Sequence, residues 1–365
     1  MKQLRKRLRA QLTFLVLILF IILGVIWLSN FHVHKEIDDS NRLGSPTNIE
    51  VLNDRVYFTD NSVTANLCTA KLNGLKFTHR LGIHHVKKIK GINNRLYVLC
   101  EKNRFYVYDI ENEDIIKKID LVEDVGIVRI NDIDFGTVDK QGAVLHISSG
   151  RDGDFVLTIS PEGEWKKIPV KQEWNITLLA RQKDVYFIHI TYDTDGSLNG
   201  IFAWNISTNQ IKRISEVYPS SDMDEPAYIW EDELIISKNA STGCRIKLDG
   251  SGEKEFQTRF SVSSCVYEDK LYTVDLHTLY VYDLKTGEIK ENVTPGKKEI
   301  FGRIRIFDNK LFVAGGKFFV LCNKTKIYFE ELKNLKWIDA KLDEVIYVTP
   351  DPQLDLEEER NKTYN

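Results

Sequence analysis

The sequence lacks the short motifs that mark most catalytic and metal sites. It contains no G-x-S-x-G, no phosphate-binding P-loop and no H-E-x-x-H. Its five cysteines form no C-x-x-C pair and show no metal-ligand spacing. The formal net charge is -3, so the composition offers no basic surplus for a nucleic-acid partner. We therefore expect no cofactor and no nucleic acid.

The cysteines are predicted to be structural residues. Cys68, Cys100 and Cys322 lie inside apolar, strand-like runs, where cysteine is usually a small buried hydrophobe. With Cys244 and Cys265 the count is odd, so one disulfide in an exported domain would still leave at least one thiol. No cysteine is predicted to be catalytic.

A long uncharged run is present only near the N-terminus. Residues 12–29, LTFLVLILFIILGVIWLS, carry no charge and would span roughly 27 Å as a helix, close to the thickness of a bilayer core. Basic residues precede the run, which favours a cytoplasmic N-terminus and a domain outside the plasma membrane. The side chains expected to anchor the helix are Leu12, Phe14, Leu19, Phe20, Val25 and Trp27.

A cleaved signal peptide is the competing interpretation of this run. Such a peptide has an apolar region of about 7–15 residues that ends in a small-residue cleavage site. Here the run is longer and continues as WLSNFHVHKEI without such a site. The sequence thus favours a single-pass anchor over residues 11–30, after a cytoplasmic segment at 1–10.

Beyond residue 30, helical periodicity nearly disappears. A linker or closing strand is predicted at 31–48, an all-β domain at 49–349 and a disordered acidic tail at 350–365. Within the domain, two strands around an acidic or Asn-containing turn recur as eight hairpin starts: 49–60, 90–100, 131–148, 180–190, 228–237, 264–275, 305–315 and 339–349.

Two further strands follow each start, which predicts four strands in every 40 or so residues. This spacing is typical of a β-propeller, in which blades bury their faces against each other. We expect seven or eight four-stranded blades. The last start has only two strands, so Phe31 to Ile37 is a candidate for the strand that completes its blade.

Several segments resemble known propeller repeats. RVYFTD (55–60) and KLYTVD (270–275) resemble the signature of the YWTD propellers of the low-density-lipoprotein receptor group. KLDGSGEKEF (247–256) and KLNGLKFTHRL (71–81) are similar to the stretch that follows it, and YVYDLKTGEI (280–289) resembles the quinoprotein-like repeat. The resemblance, which extends to bacterial domains of unknown function, implies a binding module and carries no catalytic residue.

Two acidic loops are candidates for calcium binding. Asp152 and Asp154 in GRDGDF, and Asp193 and Asp195 in YDTDGSLNG, place carboxylates at short spacing beside glycine. Hairpin turns favour the same residues for backbone reasons, so ordinary turns remain the alternative.

A third acidic loop is a candidate for partner binding. Residues 217–228 form a long polar connection that carries Asp222, Asp224 and Glu225. These side chains could line the mouth of a channel and contact a partner, or they could belong to a solvated loop between blades. Asp-rich loops alone do not separate the two.

The leading functional hypothesis is a non-catalytic, membrane-anchored module that binds a protein or cell-envelope ligand. One alternative is a propeller enzyme (a hydrolase, lyase or quinoprotein-like protein) with its site in the central channel. A second is a scaffold for a membrane complex. An enzyme predicts convergent carboxylates or histidines, whereas a binding module predicts an exposed recognition surface.

Overall fold

The computed structural model describes residues 48–59, 65–72, 77–150, 153–172, 174–192, 199–220, 227–257, 263–274, 278–293, 300–317, 324–331, 338–341 and 344–347. Every regular element in these ranges is a β-strand, so the predicted all-β class is confirmed. Among these residues no helix is long and apolar enough to cross a membrane. The predicted anchor at 11–30 lies outside the described residues.

Consecutive strands pair antiparallel, four to a sheet, and one later strand adds in parallel to the first sheet. The first four sheets contain β1 (Ile49–Leu52), β2 (Arg55–Thr59), β3 (Leu67–Lys71) and β4 (Phe77–Arg80); β5 (Val86–Ile92), β6 (Arg95–Cys100), β7 (Arg104–Asp109) and β8 (Asp114–Asp120); β9 (Asp132–Asp139), β10 (Gly142–Ser148), β11 (Phe155–Ile159) and β12 (Trp165–Pro169); and β13 (Asn175–Gln182), β14 (Val185–Tyr192), β15 (Gly200–Asn205) and β16 (Gln210–Ser215).

The remaining strands continue the same pattern. They are β17 (Ala227–Trp230), β18 (Glu233–Asn239), β19 (Thr242–Lys247) and β20 (Glu253–Gln257); β21 (Ser263–Tyr267), β22 (Lys270–Val274), β23 (Thr278–Asp283) and β24 (Ile289–Val293); β25 (Ile300–Phe307), β26 (Lys310–Lys317), β27 (Lys324–Glu331) and β28 (Ile338–Lys341); and β29 (Glu344–Tyr347).

The predicted number of seven or eight four-stranded blades is wrong. Six sheets of the described chain have four strands, and the first sheet has five, in the order β1-β2-β3-β4-β29. Strand β29 adds in parallel to the outer edge of β4, with Glu344 opposite Phe77 and Tyr347 opposite Arg80. The sequence pattern could not show this, because strand addition depends on which sheet edge is free in the folded chain.

The eighth predicted hairpin start, at 339–349, is therefore wrong as well. Its first strand, β28, pairs with β27 as the outer strand of the preceding sheet, and its second strand is β29. The sheet β25–β28 is built from consecutive strands. The closing strand predicted at Phe31 to Ile37 lies outside the described residues. The other seven starts each form the first two strands of a sheet.

The acidic and Asn-containing turns act mainly through their backbone. Asn53 and Asn93 adopt left-handed φ angles of 56° and 51°, which asparagine tolerates and a tight hairpin requires. In five sheets, the backbone N–H of the residue after the third strand donates to a carbonyl oxygen in the turn between the first and second strands. The donor and acceptor pairs are Leu72 and Asp54, Ile110 and Asn94, Ile206 and Asp184, Leu248 and Asp232, and Leu284 and Asp269.

Apolar side chains pack between neighbouring sheets rather than within one sheet. Tyr97, Phe105, Phe135 and Leu145, from β6, β7, β9 and β10, are at most 1% exposed and share one cluster. Equivalent clusters join the other pairs of neighbouring sheets. One of them joins the first sheet to the sheet β25–β28 and contains Ile49 and Phe312. No sheet hides its faces alone, so the stability of each depends on its neighbours.

The tryptophans support this packing. Trp174 and Trp204 are 3% and 2% exposed and meet edge to face, with ring centroids 6.2 Å apart. Trp230 is also buried, whereas Trp165 on the outer strand β12 is 39% exposed. Cys68, Cys100 and Cys244 are buried free thiols, as expected for Cys68 and Cys100, and Cys265 is a partly buried free thiol.

Polar side chains on or beside the first strand of a sheet connect one sheet to the next. The amide of Asn48 bonds to the β5 backbone at Lys87 and Ile89, and its oxygen also accepts from Arg303 at 2.8 Å. Arg305 donates Nε to Glu50 at 2.9 Å. These bonds join β1 to β25 and close the sheets into a ring.

Candidate functional site

A polar cleft of about 410 Å³ opens where hairpin turns of two neighbouring sheets meet. The turns are β5–β6 and β7–β8 in one sheet and β9–β10 and β11–β12 in the next. We call it the turn cleft and define it by Asn93, Arg95, Tyr97, Asp109, Asp139 and Lys140. Its volume lies within the range of small-ligand sites.

Arg95 is held rigidly at the cleft. Its Nε donates to the carbonyl of Pro161 at 3.0 Å, and its Nη1 donates to the carbonyl of Asn94 at 3.1 Å. Nη1 also lies 3.1 Å from the Asp109 carboxylate. These contacts tie together turns from two sheets and leave the guanidinium in one orientation. Nη2 makes no hydrogen bond to any described residue.

Asp109 is the most heavily bonded carboxylate of the cleft. It accepts from the backbone N–H groups of Glu111 and Asn112, at 2.9 and 3.2 Å, and from the Asn112 side chain at 2.9 Å. Burial alone would raise the pKa of Asp109, but these hydrogen bonds and the nearby Arg95 outweigh it and lower the pKa. The carboxylate therefore stays ionised and is unsuited to donate a proton at neutral pH.

The carboxylate of Asp139 forms an ion pair with Arg181, which lies on β13 of the next sheet. Arg181 donates Nε to its carboxylate at 2.6 Å and Nη2 to its second oxygen. Nη2 also donates to the carbonyl of Gly142 at 2.8 Å. Gly142 has a φ of 113°, and a Cβ there would lie 2.0 Å from the Ile159 carbonyl oxygen, so this turn requires glycine.

Tyr97 contributes a buried phenol to the wall of the cleft. The residue has 0% exposure, and its hydroxyl has no hydrogen-bond partner among the described residues. Burial raises the pKa of Tyr97 to about 12, so the phenol stays protonated at neutral pH. Leaving a buried hydroxyl without a hydrogen bond destabilises the folded state by about 1–3 kcal/mol. Proteins retain such a group where it has a functional role.

Two buried histidines occupy equivalent places in adjacent sheets, away from these turns. His146 and His189 are each the fifth residue of a second strand, β10 and β14. Neither Nε2 has a hydrogen-bond partner among the described residues. Burial lowers the pKa of His189 to about 4, and its ring packs edge to face on Tyr218, with centroids 4.6 Å apart. Burial also lowers the pKa of His146, against the opposing effect of Asp154.

Asp154 is the one predicted calcium-binding residue that the structure describes. Its carboxylate accepts from the Ser148 hydroxyl at 3.0 Å and the Ser149 N–H at 3.3 Å. Its second oxygen lies 3.7 Å from Nε2 of His146. These contacts connect the end of β10 to the residue just before β11. Within the described ranges, no group of three or more His, Cys, Asp or Glu side chains converges as a metal site.

The other predicted site residues fall outside the described ranges. They are Asp152, Asp193 and Asp195 for calcium, Asp222, Asp224 and Glu225 for partner binding, and Leu12, Phe14, Leu19, Phe20, Val25 and Trp27 for the membrane.

Sequence reasoning missed the cleft residues. The segments NNRLYVLC (93–100) and YVYDIENED (106–114) fit the repeat of strands and turns, yet nothing in them marks Arg95 and Asp109 as partners. One sequence feature could have pointed to Asp109: an Asp or Asn recurs at the end of the third strand of several sheets. Asp109, Asn205 and Asp283 each accept two backbone N–H bonds in the turn that follows.

Comparison with solved structures identifies the architecture. The propeller domain of Cps50 (Swd1) from Myceliophteria thermophila aligns with a TM-score of 0.51 at 12% identity, over 76% of this chain and 94% of that one. The fold is a β-propeller. The extracellular domain of a putative hybrid two-component system from B. thetaiotaomicron aligns with a TM-score of 0.50 at 14% identity, over 74% of this chain and 39% of that one.

Neither the family models nor the curated proteins contain a match to this chain. At these identities the structural similarity establishes the propeller alone. Function must be argued from the chain's own residues.

Proposed function

We propose that this propeller is a non-catalytic binding or scaffold module for a protein or cell-envelope ligand. The observation that carries the proposal is the state of the turn cleft. Its carboxylates at Asp109 and Asp139 are bonded to the protein's own donors, while Arg95 retains an unused Nη2. Such a preorganised arrangement favours recognition over proton transfer, which needs a carboxyl or imidazole free to exchange its proton.

The proposal includes a single-pass anchor at residues 11–30, with the propeller on the outer side of the plasma membrane. Its support is the uncharged run at 12–29 and the basic residues before it. Fractionation of cells that express the full chain tests this part. We expect the protein to stay with membranes after a high-salt or carbonate wash, and a chain that begins at residue 31 to be released. Recovery of the full chain in the soluble fraction would refute the anchor.

We also propose that the repeats are of the YWTD type, with some quinoprotein-like character. The described parts of the two segments that suggested it, RVYFT (55–59) and KLYTV (270–274), both form second strands, β2 and β22. A common strand position is what a true repeat signature requires. Sequences of relatives would test the assignment, since the motif should recur at this strand position in other blades.

Capture of partners by the full-length protein tests the binding function. The tagged chain would be cross-linked in membranes first and then extracted in mild detergent, so that weak complexes survive. A recovered candidate must then bind the purified chain directly and saturably. Failure to recover any direct binder, together with turnover of an envelope substrate, would favour the enzymatic alternative.

A further inference from the structure

In the turn cleft the carboxylates already accept hydrogen bonds from the protein, whereas two cationic side chains keep donors that are not used. Every carboxylate that lines it already accepts from the protein: Asp109 from three donors beside its ion pair with Arg95, Asp139 from Arg181, and Glu111 from the Asn94 side chain at 3.0 Å. Two cationic groups keep unused donors. Nη2 of Arg95 is one, and the exposed Lys140, which forms no ion pair with any described residue, is the other.

We propose that the turn cleft binds an acidic peptide segment of a partner protein. One side-chain carboxylate accepts from Nη2 of Arg95, and Lys140 provides the second positive charge. This inference rests on the binding function proposed above and specifies its ligand.

Arg95 is suited to this role because its orientation is set before the ligand arrives. Three contacts already hold the guanidinium, so carboxylate binding freezes little additional side-chain freedom. Hydrogen bonds between an ionised donor and an ionised acceptor are about twice as strong as neutral ones. The salt bridges of Asp109 and Asp139 lower the repulsion that an incoming carboxylate would otherwise meet.

Glu111 limits the charge that the cleft accepts. Its Oε2 accepts from the Asn94 amide, and its exposed carboxylate adds a negative charge to the lining of the cleft. A ligand with one inserted carboxylate therefore fits better than a dense cluster of anions. It follows that Glu111→Gln strengthens binding of an acidic peptide.

A defined peptide pair tests the proposal on the full-length chain in nonionic detergent. The probe is fluorescently labelled acetyl-Gly-Glu-Gly-Glu-Gly-amide, and its control has Gln in place of both Glu residues. Fluorescence anisotropy should show at least about tenfold weaker binding of the Gln peptide. Affinity for the Glu peptide should fall as salt rises, because the contacts are partly exposed.

Two matched variants locate the site. Lys140→Gln should lower the affinity for the Glu peptide about three- to fivefold, which is the effect expected from removing one exposed charge. Lys183→Gln changes an exposed lysine in the corresponding turn of the next sheet and should leave affinity unchanged. Arg95→Lys should cost about tenfold or more, and its thermal unfolding is measured in parallel because Arg95 also supports the turns.

Equal affinity for the two peptides, or equal effects of Lys140→Gln and Lys183→Gln, would overturn the acidic-peptide assignment. A partner that binds the chain directly yet tolerates Lys140→Gln would leave the broader binding function standing. The two proposals therefore fail separately.

Discussion

Glu50 on the first strand forms an ion pair with Arg305 across 255 sequence positions, with Nη2 of Arg305 2.8 Å from Oε1 of Glu50. The side chains are 8% and 15% exposed, so the pair is largely removed from water. It joins the first sheet to the last described four-stranded sheet. The two sheets are far apart in the sequence and become neighbours only in the folded ring, where this ion pair connects them.

Removing one partner of this pair should destabilise the propeller. We expect Glu50→Gln to lower the free energy of unfolding by about 2–3 kcal/mol, because Arg305 loses the negative charge of Glu50 in a site largely removed from water. Denaturant unfolding monitored by tryptophan fluorescence measures the change. The matched control is Glu255→Gln, which breaks the exposed pair with Lys238 and should change the free energy of unfolding far less, because water screens that pair. Equal losses for both variants would contradict a closure role.

The fifth strand should protect the edge of the first sheet. A chain that stops after Lys341 lacks β29 and exposes the outer backbone edge of β4. We expect faster hydrogen exchange at Phe77–Arg80, while the outer strand β8, which has no such added neighbour, keeps its rate. Hydrogen exchange with mass spectrometry distinguishes these peptides. Unchanged exchange in β4 would mean that β29 contributes little protection.

Arg181 should be required for the stability of the cleft wall. Arg181→Met keeps much of the aliphatic volume but removes the guanidinium that pairs with Asp139 and one donor to the Gly142 carbonyl. A loss of about 3 kcal/mol in unfolding free energy is expected. The double variant Arg181→Met with Asp139→Asn should recover part of that loss, as measured by a double-mutant cycle. Strict additivity would argue against direct coupling.

Stability should fall in mildly acidic solution through His189. Its folded-state pKa of about 4 lies below the ordinary value of 6.5, so protons bind more tightly to the unfolded chain. Stability from the neutral imidazole is present above about pH 6.5 and is lost as the pH falls toward about 4. Between pH 7 and pH 5 the loss should approach about 2 kcal/mol. His189→Gln should reduce this pH dependence, whereas the exposed His85→Gln should preserve it.

Local features were predictable because their causes are local. Hairpin turns such as Asn93-Asn94 and the apolar second strands that follow could be found from residue type and spacing, and seven of the eight predicted starts are real hairpins. The burial of Cys68 and Cys100 followed from the same runs. These features depend on φ preference and side-chain alternation within about a dozen residues.

The turn cleft was not predictable for the opposite reason. Arg95, Pro161 and Asp139 come from different hairpins, and Arg181 comes from a third sheet. Each residue alone resembles an ordinary strand-end or turn residue. Only the packing of adjacent sheets sets which donors are used and which remain available, as for Nη2 of Arg95.

By itself, the amino-acid sequence determined that this chain makes β-hairpins repeatedly and that their apolar faces need partners. Tertiary structure decided how many sheets have four strands, that β29 joins β4 instead of starting another blade, and which charges neutralise each other. Strand formation depends on neighbours along the chain, whereas edge pairing and ion pairing depend on groups brought together only when the ring closes.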